Sequence, residues 1–164
     1  MFVDEARMKA QQIQQKIKSG KANRLAGMVI GIKDNIGYRS HSVSASSKIF
    51  KNYIYFYSAT VLERLLVKDA ILTGRLNCDE FAMGASNESS YYGPVRNAAD
   101  RTRVAGGSAV SVQASLYFAS LGADTRGSVR RQPVAFCGII GLKPSYVLVH
   151  IGGRSGIHVQ EITL

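Results

Sequence analysis

The chain has 164 residues, of which 46% are hydrophobic, 20% charged and 9% aromatic. That balance excludes disordered, collagen-like and coiled-coil chains and points to one globular domain. Twenty-one Lys and Arg against eleven Asp and Glu give a formal charge of +10, which favours acidic partners. The basic residues are spread from Arg7 to Arg154, with only Arg126, Arg130 and Arg131 close together, so the charge reads as general solvation more than as a nucleic-acid groove.

Ala6, Ala10, Ile13 and Ile17 recur at helical spacing with Lys and Gln between them and Gly20 after, which predicts an amphipathic outer helix over residues 4–19. Met28 to Ile32 is a short apolar run ending at Lys33 and predicts a buried strand. Ser58 offers an N-cap to a helix carrying Val61, Leu62, Leu65 and Leu66, and Ala70 to Thr73 resumes a strand pattern closed by Gly74. Strand, helix and strand at this spacing imply a βαβ crossover and a largely parallel sheet. Gly106-Gly107-Ser108 opens a small-residue segment readable as a helix to about Ala114, followed by the apolar run Leu116 to Leu121. A turn-rich loop, Gly122 to Ser128, then precedes a second apolar run, Val134 to Leu142. Residues 147–164 show no clear period.

Sixteen Gly against three Pro predict close backbone approaches. Cys78 and Cys137 belong to no CxxC or Cys/His cluster and read as buried thiols in a reducing compartment. The acidic N-terminus is unlike a signal peptide, and the longest apolar run is too short to span a bilayer, so a cytoplasmic location without membrane attachment is expected. His41, His150 and His158 lack metal spacing, and phosphate-cradling glycine motifs are absent. What remains for chemistry is Lys33 with Ser108 and Ser128. A buried lysine can act as a base if its charged form is poorly solvated. From spacing alone the ordinary readings take precedence: Lys33 leaves a sheet edge to pair with Asp34, Ser108 caps a helix and Ser128 makes a turn.

Several runs occur in a fixed order: Leu25-Ala-Gly-Met-Val-Ile-Gly-Ile-Lys33-Asp-Asn-Ile, Ala59-Thr-Val-Leu-Glu-Arg-Leu, and Leu76-Asn-Cys-Asp-Glu-Phe-Ala-Met-Gly84. Asn87-Glu-Ser-Ser, Gly93-Pro-Val-Arg-Asn97, Val104-Ala-Gly-Gly-Ser108, Asp124-Thr-Arg-Gly-Ser-Val-Arg130 and Phe136 to Pro144 follow. Over residues 4–146 this pattern resembles the amidase signature family, and within it the glutamine-hydrolysing subunits of tRNA amidotransferases more than general amidases. The resemblance implies an α/β fold, a largely parallel or mixed sheet flanked by helices. It covers only the N-proximal part of the family pattern, so the expected organisation is a partial amidase domain: helix 4–19, core segment 25–146 and divergent tail 147–164.

By the same resemblance, Ser128 would be the acyl-forming nucleophile, Ser108 the bridging serine and Lys33 the base, with backbone N–H groups of Thr125, Arg126 and Gly127 holding the oxyanion. Glutamine would donate ammonia. ATP and Mg²⁺ would serve the full complex and not this chain, with subunits B and C and a misacylated tRNA as partners. The chain departs from the family pattern in four places. The glycine-serine loop after Gly106 is four residues short, leaving open which family serine Ser108 represents. Arg126 stands where the family has glycine, Ser128-Val-Arg130-Arg131-Gln-Pro133 is one residue long, and the pattern breaks after Tyr146. These departures lead to the expectation of a truncated remnant without turnover. A basic nucleic-acid-binding module is permitted by charge alone, without a motif.

Overall fold

The computed structural model describes residues 2–124 and 127–144, and the backbone of 162–163. At its centre is β1, Val29–Lys33, paired in parallel with β2, Ile71–Leu76, on one side and β3, Ala119–Ala123, on the other. A two-residue β4, Ile162–Thr163, adds antiparallel to β3, giving the order β2-β1-β3-β4. Flanked on both sides, β1 is a nearly continuous buried β-branched run, as a parallel strand covered on both faces must be. Its register shifts between Ile30 and Ile32, and a Cβ on the intervening Gly31 would lie 2.7 Å from Leu76 Cδ1.

Helix α1, Val3–Lys18, carries Asp4 and Glu5 in its first turn and Lys16 and Lys18 in its last, matching the helix dipole. It buries only Ile13 of its own residues. The N–H of the preceding Phe2 donates to Thr73 O at 2.9 Å, and Lys16 pairs with Asp69 at 2.6 Å, so the outer helix is pinned at both ends. Helix α2, Thr60–Val67, forms the β1-to-β2 crossover and seats Leu62 among Ile30, Ile32, Ile36, Leu72 and Leu121. Helices α3, Gly107–Gln113, and α4, Gln132–Cys137, cover a smaller cluster of Ala105, Ala109, Val110 and Cys137.

Four local expectations are corrected. Helix α2 is capped by Ala59 and not Ser58: Ala59 is fully buried, its N–H donates to Gly37 O, and Ser58 Oγ instead accepts from the Arg39 N–H. Core packing overrides the better capping side chain. β2 does not stop at Gly74, because pairing with β1 carries it to Leu76. Ser108 does not cap α3; Gly106 does, and Ser108 lies inside the first turn. Lys33 is not at a sheet edge and does not pair with Asp34, whose carboxylate is taken by Ser44, Ser46 and, at 3.6 Å, Arg75. The apolar run after Leu116 becomes strand only from Ala119. Both cysteines are buried free thiols, and among the described residues no helix is long and apolar enough to cross a membrane.

Candidate active site

Ligands of open parallel sheets sit beyond the carboxyl ends of the strands, where the winding direction changes. With the order β2-β1-β3, that place lies at the ends of β1 and β3. Lys33 ends β1, Ala123 ends β3, and the segment Asn77-Cys78-Asp79 leaves β2 beside them.

Lys33 is 5% exposed, and its Nζ donates to Ala123 O at 3.2 Å. Burial lowers its pKa, opposed by the neighbouring Cys78 and the carboxyl groups of Asp79 and Asp124. Ser128 Oγ donates to the same Ala123 O at 2.9 Å. Base and nucleophile candidates, far apart in sequence, therefore converge on one carbonyl oxygen. Ser108 is brought to the same place by the N-terminus of α3. A Cβ on Gly107 would lie 2.3 Å from Asn77 O, so only glycine lets this helix approach the end of β2 so closely. Ser108 is 4% exposed and its Oγ has no hydrogen-bond partner among the described residues, whereas its carbonyl accepts from Ser111 Oγ at 2.8 Å and Ser120 Oγ at 2.7 Å. Lys33, Ser108 and Ser128 line one cavity of about 20 Å³, room for about one water.

The proposed oxyanion residues Thr125 and Arg126 lie outside the described residues. Gly127 has φ +107°, a conformation suited to glycine, and its N–H donates to the Asp124 carboxylate. Asp124 is fully buried and also accepts from the N–H groups of Val129 at 3.2 Å and Arg130 at 2.9 Å, while the Arg130 guanidinium stands 3.6 Å away. One carboxylate thus shapes the loop that carries Ser128. Asp79 does the equivalent on the other wall: it accepts from the Asn87 N–H at 2.9 Å and from Ser89 Oγ at 3.0 Å, and Gly84 packs so close that its Cβ would meet the carboxyl carbon at 2.3 Å. Sequence reasoning did not single out Asp79 or Asp124 as site residues. The signal for Asp124 was present, an acid opening a Gly-Ser turn directly after an apolar strand. Among the described residues no group of three or more His, Cys, Asp or Glu is placed to hold a metal ion.

The amidase family profile matches residues 1–159. The A subunit of the glutamyl-tRNA(Gln) amidotransferase of Chlorobaculum tepidum is 50% identical over 151 residues, which cover 89% of this chain and 31% of that protein. The crystal structure of the corresponding A subunit from Thermotoga maritima superposes with a TM-score of 0.76 at 40% identity, covering 82% of this chain and 30% of that one. A structure from a vestigial protein complex bearing on the origins of an s-triazine catabolic enzyme superposes with a TM-score of 0.88 at 35% identity, covering 93% of this chain and 35% of that one. The chain spans about a third of the length of the relatives it matches.

Proposed function

The chain belongs to the amidase family, and from that premise we propose that it carries the reacting side chains of a glutamine-cleaving Ser-Ser-Lys site. The observation that supports this reading is the convergence of Lys33 Nζ and Ser128 Oγ on Ala123 O beside the unpartnered hydroxyl of Ser108. Neutral Lys33 would take the Ser108 proton while Ser108 takes that of Ser128, whose oxygen attacks the amide carbon of glutamine. The C–N bond breaks, ammonia leaves with a returned proton, and water then releases glutamate from the Ser128 ester. In keeping with the names of its relatives, the acceptor of the ammonia would be a glutamyl-tRNA(Gln). ATP and Mg²⁺ would act with subunits B and C, and no residue of this chain is assigned to that step.

Loss of one oxyanion donor costs about 10²–10³ in rate. Arg126 stands where the family has glycine, and the loop after Gly106 is four residues short. From these two departures we infer that the chain by itself turns glutamine over at no measurable rate. Ammonia release from glutamine, together with mass-spectrometric mapping of a fluorophosphonate serine probe, tests both parts. No ammonia and no label are expected. Labelling that vanishes in Ser128→Ala would overturn the inactivity while supporting the nucleophile, and labelling at another serine would overturn the assignment of Ser128.

A further inference from the structure

One side chain of the cavity has no part in the proposed amide cleavage. Asn87 is 1% exposed and lines the cavity together with Lys33, Asp79, Ser108 and Ser128. It is fixed on two sides. Its backbone N–H donates to Asp79 Oδ2 at 2.9 Å, and its side-chain Oδ1 accepts from the Val95 N–H at 3.0 Å. Because the Val95 N–H can only donate, that contact settles which end of the amide is oxygen and leaves Nδ2 as the other end. Among the described residues Nδ2 has no hydrogen-bond partner, and neither has Ser108 Oγ. A buried donor without an acceptor is costly, and folded proteins answer such groups with their own atoms or with ordered water. Arg75 Nε, also buried without a hydrogen bond, has the Asp34 carboxylate 3.6 Å away. Asn87 and Ser108 share instead a cavity of about 20 Å³, the size of one water.

The groups around this space have complementary capacities. Asn87 Nδ2 can only donate, Ser108 Oγ donates and accepts, and a neutral Lys33 Nζ that donates to Ala123 O at 3.2 Å keeps a lone pair. No direct hydrogen bond joins Lys33 Nζ to Ser108 Oγ. One water satisfies all three by accepting from Asn87 and Ser108 and donating to the lysine. We propose that Asn87 is a positioning residue that holds one water between Ser108 and Lys33, and that this water carries the serine proton to the lysine. The proposal rests on the assignment of Lys33 and Ser108 to a Ser-Ser-Lys site. In the transfer the Ser108 O–H bond breaks and an N–H bond forms on Lys33. The water gives up one proton as it takes another and is left unchanged, and Asn87 exchanges none.

A high-resolution crystal structure of the full chain, with Lys33 titrated by NMR through its ¹³C-labelled Cε and assigned with Lys33→Met, tests the proposal. A water within about 3.2 Å of Asn87 Nδ2, Ser108 Oγ and Lys33 Nζ is expected. Asn87→Leu removes the donor and fills the cavity, so it should expel the water and lower the Lys33 pKa by about half a unit or more, the ammonium having lost a partner. Val110→Ala loosens the neighbouring cluster without reaching the cavity and should leave that titration unchanged. Should Asn87→Leu fail to fold, the wild-type structure decides alone. The proposal is overturned if no water lies within that distance of both Asn87 Nδ2 and Ser108 Oγ, or if Ser108 Oγ bonds Lys33 Nζ directly. It is equally overturned if Asn87→Leu leaves the Lys33 titration in place or Val110→Ala moves it as far. None of these readouts needs turnover. A probe label on another serine would overturn the assignment of Ser128 and leave the water where it is, whereas a missing water would overturn only the role of Asn87.

Discussion

The two candidate reacting side chains, Lys33 and Ser128, are positioned by different physics. Lys33 ends a central strand whose Ile30 and Ile32 are packed among Ile36, Leu62, Leu72 and Leu121, so its backbone is set by a dense apolar core. Ser128 sits on a loop beside a much smaller cluster of Ala105, Ala109, Val110 and Cys137, where Phe118 and Ile140 remain 76% and 92% exposed. What holds that loop is the Asp124 carboxylate. Cavities should therefore damage the first region, and loss of a polar acceptor the second.

The largest expected effect is on the core side. Ile32→Ala should cost ~2–5 kcal/mol in urea unfolding, whereas Val110→Ala in the small cluster should cost only ~1–2 kcal/mol. Equal losses would erase the contrast. Next comes Asp124→Ala, which orphans three backbone N–H groups and should cost ~1–3 kcal/mol. Amide exchange should accelerate at Gly127, Val129 and Arg130 while Ile30 to Lys33 stay protected; acceleration in β1 as well would mean that the two regions are one cooperative unit.

Lys33→Met should raise stability at neutral pH, because burial disfavours the ammonium form that the unfolded chain carries there. The folded-state pKa of Lys33 lies below its ordinary 10.5, so between those two values the unfolded chain binds more protons and wild-type stability rises with pH. The advantage of the methionine variant should shrink accordingly as the solution is made alkaline. The smallest effect lies at the far end of β2. Lys16 and Asn23 pull the Asp69 carboxyl from its ordinary 3.8 down to about 2, so its contribution is complete above about pH 4 and lost as the pH falls toward 2. Asp69→Asn should remove that acid-induced step from the unfolding curve, and an unchanged step would assign it to other carboxylates.

Local pattern made the helix and strand order of the first 76 residues legible, because apolar period is a property of neighbouring residues. Lys33, Ser108 and Ser128 stand out in the sequence by elimination, but only the family resemblance gives them roles; spacing by itself favoured an edge lysine and a helix cap. Only the folded chain excluded those alternatives. Lys33 and Ala123 are 90 positions apart, and nothing local records that a strand-end carbonyl would receive both the lysine and the serine. The same holds for the charge. In sequence the basic residues are evenly spread, but folding buries Asp34 among Ser44, Ser46 and Arg75 and brings Glu5 to His41 and Glu80 to Ser47. Sequence determined which residue types were available and which elements they form. Tertiary structure decided which of them meet, since Gly31, Gly84 and Gly107 permit backbone contacts that depend on where distant strands come to lie.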